Sequence, residues 1–88
     1  MTWTVRLARD AARQLRRLPQ DHQTLIRERL REMREDPFRG DVIVLKGRRW
    51  RGRYRKRVGR YRVIFMVDHT EHVIEVSAIL LRDEGTYR

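Results

Sequence analysis

The residues of this sequence best suited to chemistry are the cations of one short stretch, residues 46–62. The stretch holds ten basic residues and no acidic one. The whole chain has 22 basic and 12 acidic residues, so the rest is balanced at 12 against 12 and the formal charge of +10 lies here. Arginine and lysine bind phosphate through charge-assisted hydrogen bonds. The ten cations are Lys46, Arg48, Arg49, Arg51, Arg53, Arg55, Lys56, Arg57, Arg60 and Arg62.

The second half of this stretch has the pattern of a β-hairpin. Gly59-Arg60 separates two runs rich in β-branched and aromatic residues, and glycine first in a two-residue turn suits type II′. Closing the hairpin there pairs Arg57 with Arg62, and side chains alternate between faces along each strand. One face then carries Tyr54, Val58, Tyr61, Val63 and Phe65, and the other carries Arg55, Arg57 and Arg62. Lys56 falls on the apolar face, where we expect its ammonium group to snorkel to solvent.

Two arginines directly opposed across a hairpin repel each other. A cross-strand pair contributes about 0.2–1 kcal/mol, and the sign is unfavourable for like charges. A fold that accepts this cost is expected to hold an anion between them, and phosphate is the obvious candidate. The arginine-bearing face, with its tyrosines nearby, is therefore a candidate platform for nucleic acid.

The elements around the hairpin are predicted from hydrophobic periodicity. We expect a strand over residues 2–7 at a sheet edge, helices over 9–17 and from Pro19 to about Glu35, and a connector over 38–45. After the hairpin, whose second strand (61–67) should be central, a turn over 68–71 leads to a strand over 72–81. An even turn puts Ile74, Val76, Ala78 and Leu80 on the helix-covered face and Glu75 and Ser77 on the face of Arg62.

These elements predict an α+β fold of order β-α-α-β-β-β, with a helical hairpin packed on one face of a small twisted antiparallel sheet. The 88 residues are expected to form a single domain, 1–88. The absence of cysteine excludes disulfides and thiolate metal sites. No apolar run approaches a membrane span and the first residues do not form a signal peptide, so we expect a cytoplasmic protein without membrane contact. We predict no metal site and no cofactor; His69 and His72 offer too few ligands for a metal.

Nearly the whole sequence resembles the RelE/ParE superfamily of bacterial and archaeal type II toxins. Leu18-Pro19, Asp36-Pro37 and Leu45-Lys46-Gly47 fall in the family order. Residues 54–65, YRKRVGRYRVIF, are similar to the family's hairpin motif W-R-x-R-V-G-x-Y-R-V-I-Y. A final strand that ends at Arg82 and a near-terminal Tyr87 also fit the family pattern.

The resemblance to the RelE-like branch implies a ribosome-dependent endoribonuclease that inhibits translation. In the implied metal-free mechanism, a ribose 2′-hydroxyl attacks the adjacent phosphate and leaves a cyclic phosphate and a 5′-hydroxyl. By motif, Arg55 and Arg57 take the first-strand basic positions and Arg62 stabilises the phosphate. Arg82 would act on the leaving-group side and Tyr87 would stack on or orient a base. Lys46, Arg48, Arg49, Arg51, Arg53 and Arg60 would bind the RNA backbone.

Two departures from the RelE-like pattern keep alternatives open. The pattern has lysines in the first-strand positions, and arginine, whose guanidinium group stays protonated at physiological pH, is a poor proton acceptor. Glu75 is one hypothesis for the missing base. Leu80-Leu81 stands before Arg82 in place of the family's frequent His-Arg pair, which leaves the role of Arg82 open. The implied partners are a cognate antitoxin, mRNA and the ribosome. The alternatives are a ParE-like inhibitor of DNA gyrase without nuclease activity and an inactive RNA-binding module.

Overall fold

A computed structural model describes residues 2–81 as two helices and five strands. The elements in chain order are β1 (Thr4–Leu7), α1 (Arg9–Arg16), α2 (Gln20–Met33), β2 (Val42–Val44), β3 (Arg53–Val58), β4 (Tyr61–Asp68) and β5 (Val73–Leu81). A short 3-10 turn, Arg48–Trp50, lies between β2 and β3. The predicted α+β class, with a helical hairpin on one face of a sheet, is confirmed.

The five strands form one sheet in the order β1-β5-β4-β3-β2. As predicted, β1 lies at an edge and β4 at the centre. The sheet is antiparallel except that β1 runs parallel to β5. The prediction of four strands in an antiparallel sheet was therefore wrong in two respects. β1 has a parallel neighbour, and the predicted connector contains the edge strand β2. Alternating hydrophobicity specifies the faces of a strand and leaves its neighbours open, which is why neither feature was predicted.

The helical hairpin covers one face of the sheet because each helix has one apolar stripe. Leu15 on α1 and Ile26, Leu30 and Met33 on α2 are buried, at the helical spacing that places them on one side. Pro19 is the N-cap of α2, where a missing backbone donor costs little. These side chains meet the buried residues of the strands, which are Val58, Tyr61, Val63, Phe65, Ile74, Val76 and Ile79. Neither helix in residues 2–81 is long and apolar enough to cross a membrane.

The β3–β4 hairpin closes in the predicted register. Arg57 lies opposite Arg62, Arg55 opposite Ile64 and Tyr54 opposite Phe65. Gly59 has a φ of 57°, the positive value that the first position of a type II′ turn requires. Opposed residues share a face, so the three arginines lie on the side of the sheet away from the helices.

The β4–β5 hairpin contains a bulge that the sequence pattern did not predict. Asp68 pairs with Val73 across a four-residue loop, so the predicted even loop length is confirmed. The register then shifts between Ile64 and Phe65. Ile74 and Val76 are buried against the helices as predicted, but the shift places Ala78 and Leu80 with Ile64 and Arg62 on the opposite face. Their predicted place under the helices was wrong, because one extra residue in a strand reverses the alternation beyond it.

Candidate functional site

Three arginines on the hairpin define a surface that we call the arginine face: Arg55, Arg57 and Arg62. Arg57 and Arg62 form a directly opposed pair one step from the Gly59-Arg60 turn. The side chain of Arg57 is 39% exposed, and Arg62 is half-buried. Guanidinium groups bind phosphate through charge-assisted hydrogen bonds, and this register places two of them on neighbouring strands of one face. This pair is the geometry that the sequence analysis predicted.

The third arginine has a different environment. The side chain of Arg55 is only 9% exposed, and Ile64 opposite it is buried as well. Arg55 Nη1 donates a hydrogen bond to Asp41 Oδ1 over 3.2 Å. A buried guanidinium needs a counter-ion, because an unpaired charge removed from water is costly. Arg55 is therefore engaged inside the protein and is less accessible than Arg57.

Asp41 is a member of the site that sequence reasoning missed. It lies directly before β2, and the backbone N–H of Arg57 donates to its carbonyl oxygen over 3.0 Å. Its carboxylate contacts two arginines, with Oδ2 at 3.7 Å from Arg57 Nε in addition to the bond from Arg55. The available signal was the run Val42-Ile43-Val44. If this run is interpreted as an edge strand next to β3, Asp41, which directly precedes it, is placed beside these arginines.

Lys56 lies on the opposite face of the same strand and does not snorkel to solvent, so that prediction was wrong. The residue is 4% exposed, and its Nζ donates a hydrogen bond to the carbonyl oxygen of Arg39 over 2.6 Å. Burial lowers the pKa of Lys56, and the nearby carboxylate of Glu32 opposes that effect only in part. The α2–β2 connector covers this end of β3, and its backbone provides the partner that solvent was expected to provide.

The other basic residues of the stretch lie before β3, at its first residue and in the turn that follows it. Lys46, Arg48, Arg49, Arg51 and Arg60 are exposed, and Arg53 is half-buried. The guanidinium carbon of Arg49 lies 5.8 Å from the ring centroid of Trp50, within cation–π range. Trp50 is half-buried, with its indole Nε1 shielded from solvent. This distribution suits contacts to a nucleic-acid backbone, where position matters more than base identity.

Glu75 shares the face of the arginines but lies away from them. It pairs with Met66, four residues along β4 from Arg62, which corresponds to about 13 Å. Its carboxylate contacts Arg6 Nη2 at 3.7 Å. The hypothesis that Glu75 is the missing base therefore loses its geometric basis. Two further candidates, Arg82 and Tyr87, lie outside the described residues.

The remaining aromatic and histidine side chains have structural contacts. Tyr61 is buried in the core, as predicted, and its hydroxyl lies 2.6 Å from His22 Nδ1. Trp3 stacks on His72 with ring centroids 3.8 Å apart, and His69 meets the same indole edge-on at 5.6 Å. Within residues 2–81, no group of three or more histidine, aspartate or glutamate side chains is arranged to hold a metal ion.

The comparisons of this chain with known proteins agree on one group of toxins. The model of the ParE toxin of type II toxin–antitoxin systems, parDE, matches residues 3–85. One chain of the archaeal RelE–RelB complex from Pyrococcus horikoshii OT3 is 30% identical over 97% of this chain and 100% of that chain, with a TM-score of 0.82. No curated protein sequence matches.

Two further solved structures share the fold at lower identity. One chain of the RelBE2 toxin–antitoxin complex from Mycobacterium tuberculosis is 23% identical, covers 93% of this chain and 100% of its own, and has a TM-score of 0.83. The YoeB/ParE toxin from Agrobacterium tumefaciens is 18% identical, covers 89% of this chain and 96% of its own, and has a TM-score of 0.75.

Proposed function

We propose that this chain, which belongs to the ParE toxin family of type II toxin–antitoxin systems within the RelE/ParE superfamily, is a toxin that cleaves mRNA on the ribosome. The observation that carries the proposal is the directly opposed pair Arg57 and Arg62 on the face of the hairpin away from the helices. The archaeal RelE chain, at 30% identity over nearly the whole length, supports the RelE-like branch.

The proposed reaction is an internal transesterification of the RNA backbone. A ribose 2′-hydroxyl loses its proton as its oxygen forms a bond to the adjacent phosphorus, and the bond from phosphorus to the 5′-oxygen breaks. The leaving 5′-oxygen takes up a proton, so the numbers of protons and bonds are conserved. The products are a cyclic phosphate and a 5′-hydroxyl. Negative charge grows on the phosphate oxygens in the transition state, and fixed guanidinium donors stabilise it without reorganisation. We assign this role to Arg57 and Arg62.

Arg55 contributes to this site in a different way from its neighbours. Its guanidinium is buried and bonded to Asp41, so its contribution is a fixed positive potential behind the accessible pair. Arginine does not accept a proton at physiological pH. Much of the rate enhancement is therefore assigned to alignment of the 2′-oxygen with the phosphate and to charge stabilisation. Arg82 and Tyr87 remain proposed members of the site.

The flanking cations are proposed to bind the RNA backbone. These residues flank β3 or lie at its start: Lys46, Arg48, Arg49, Arg51, Arg53 and Arg60. About six phosphate contacts make the affinity fall by roughly 10³ between 50 and 200 mM salt. The proposed regulatory partner is a cognate antitoxin, since the archaeal RelE chain is described in complex with RelB.

Primer extension on a reporter message in a reconstituted translation system tests the proposal. With purified protein, we expect cuts in register with the reading frame, and none when ribosomes are omitted. Growth arrest is measured separately, by expressing the protein in cells. A message that stays intact in the translation system, although the protein arrests growth in cells, would overturn the nuclease proposal. Cuts without reading-frame periodicity would show a nuclease that does not require the ribosome.

The second candidate function is inhibition of DNA gyrase without nuclease activity. The specific observation in its favour is that the matching family model describes ParE toxins. In this case the basic surface would bind a protein or serve as the docking site for the antitoxin. Gyrase supercoiling assays separate the two functions, because a gyrase-directed toxin blocks supercoiling and leaves the message intact. An inactive RNA-binding module would bind RNA and do neither.

A further inference from the structure

The carboxylate of Asp41 occupies a position on the arginine face that a phosphate would also favour. Its Oδ1 accepts a hydrogen bond from Arg55 Nη1 over 3.2 Å, and its Oδ2 lies 3.7 Å from Arg57 Nε. A carboxylate and a phosphate present similar pairs of anionic oxygens to guanidinium groups. This acid therefore uses donors that would otherwise be available to a backbone phosphate.

The position of this carboxylate is fixed by its backbone. The Arg57 N–H donates to the Asp41 carbonyl over 3.0 Å, and the Val42 N–H donates to the Gly40 carbonyl over 3.0 Å. On the other face of β3, Lys56 Nζ donates a hydrogen bond to the carbonyl oxygen of Arg39 over 2.6 Å. Of the three residues before β2, Arg39 and Asp41 are thus bonded to β3, and Gly40 is bonded to Val42 within the connector. A short side chain on such an anchored segment stays near its two arginines.

The two contacts of Asp41 have different consequences. Arg55 is almost fully buried, so its guanidinium needs the carboxylate as a counter-ion. Arg57 is 39% exposed and Asp41 is 51% exposed, so solvent would hydrate Arg57 well if the acid were absent. The contact with Arg57 is therefore dispensable for folding, whereas it reduces the positive potential presented to a ligand.

We propose that Asp41 is an internal anion that sets the affinity of the arginine face for phosphate. It holds Arg55 in place and competes with the substrate for Arg57, so a bound RNA phosphate takes over the contact of Arg57 with the carboxylate. This inference rests on the proposed action on RNA and deepens it. Asp41 is a positioning residue, since it acts through the arginines and does not contact the reacting atoms.

The test compares wild type with Asp41→Asn, which keeps the size and one acceptor oxygen and removes the charge. The probes are a single-stranded 2′-O-methyl RNA, which lacks the attacking hydroxyl, and inorganic polyphosphate. Fluorescence anisotropy between 50 and 200 mM salt gives the affinity for the labelled RNA, and competition against it gives the affinity for polyphosphate. We expect Asp41→Asn to bind RNA about two- to fivefold more tightly. The slope of log K against log salt should steepen by about 0.7, the value for one additional phosphate contact on a single strand.

The matched control is Asp10→Asn, which removes the same charge at an exposed pair with Arg13 on α1. Its RNA affinity should rise less than that of Asp41→Asn, and its salt slope should equal that of wild type. A merely structural role for Asp41 would lower the thermal midpoint and leave the salt slope unchanged. Equal affinity and slope in wild type and Asp41→Asn, or weaker binding by a folded Asp41→Asn, would overturn the inference.

A second pair of variants keeps the test valid if Asp41→Asn fails to fold. The double variant Arg55→Met/Asp41→Asn removes the buried charge together with its counter-ion. This lowers the free energy of unfolding far less than the removal of one partner alone. Compared with Arg55→Met alone, the double variant should still bind more tightly and with the steeper slope.

The two probes separate this inference from the proposed function. If wild type does not bind RNA but Asp41→Asn tightens polyphosphate binding, the action on RNA is wrong and the role of Asp41 in anion affinity stands. If wild type binds and cleaves RNA while Asp41→Asn changes neither affinity nor slope, the proposed function stands and the inference is wrong.

Discussion

The ammonium group of Lys56 donates a hydrogen bond to the carbonyl oxygen of Arg39 over 2.6 Å, beneath the connector that joins α2 to β2. The residues before and after Lys56 on β3 are Arg55 and Arg57, whose side chains point to the other face. The same connector provides Asp41 to those two arginines. One short segment therefore fixes β3 from both faces, and it couples the position of the arginine face to a buried lysine.

Because of Lys56, the free energy of unfolding should change with pH in the alkaline range. Burial lowers the pKa of this lysine in the folded protein below the ordinary value of 10.5. Between the lowered pKa and 10.5, the unfolded chain binds more protons than the folded chain, so the free energy of unfolding rises with pH in that window. Lys56→Met lacks this contribution. The difference in unfolding free energy, wild type minus Lys56→Met, should therefore increase as the pH is raised towards 10.5.

Urea unfolding at several pH values measures that difference. The control is Lys46→Met, which changes the only other lysine of the sequence, an exposed residue. Its difference from wild type should stay constant over the same range. Parallel stability curves for wild type and Lys56→Met would show that burial does not alter the protonation of this lysine.

Gly40→Ala should disturb the same contact from the connector side. Gly40 has a φ of 85°, and a Cβ at this position would lie 3.0 Å from Lys56 Nζ. Gly52 also has a positive φ, 76°, but a Cβ there would meet no atom within 4 Å. An L-residue in this conformation costs about 1–2 kcal/mol at either site. Gly40→Ala should therefore lower the urea midpoint further than Gly52→Ala, and equal losses would argue against a tight approach of the lysine.

Arg62→Ala tests the accessible arginine pair. Under the proposed nuclease function, loss of one fixed donor to the developing charge should lower the cleavage rate by about 10²–10³. The domain should remain folded, because Arg62 is not part of the hydrophobic core. Cleavage in the translation assay and circular dichroism measure the two effects. The control, Arg13→Ala, removes a cation of α1 that pairs with Asp10 and should cleave at the wild-type rate. Full toxicity of Arg62→Ala would contradict the assignment.

Tyr61→Phe tests the contact between the core and α2. The Tyr61 hydroxyl lies 2.6 Å from His22 Nδ1. Its removal should lower the free energy of unfolding by about 1 kcal/mol, the typical net value of an internal hydrogen bond. In a His22→Ala background, the same substitution should cost less, since the partner is already gone. Strictly additive losses in this double-mutant cycle would show that the two side chains do not interact.

Local sequence patterns determined the hairpin that carries the site. A glycine at the turn and an alternation of apolar and charged residues, interrupted at Lys56 and Ile64, favour one register, because a slip by one residue would exchange the two faces. The pairing of Arg57 with Arg62 follows from residues within a few positions of each other. The helical hairpin was predicted for the same reason, since the 3.6-residue period acts within each helix and Pro19 lies at the junction between the two helices.

Only the tertiary structure decided which of these residues are engaged with others. Asp41 reaches Arg55 because β2 joins the sheet edge, and Lys56 is buried because the connector passes over it. The bulge after Ile64 reversed the faces of Ala78 and Leu80. Each of these features depends on segments that are distant in sequence, and the free energy of such contacts is set by burial and by neighbours that no local pattern specifies. The sequence therefore determined where the positive charge lies, and the packing of the chain determined which of those charges remain available to a ligand.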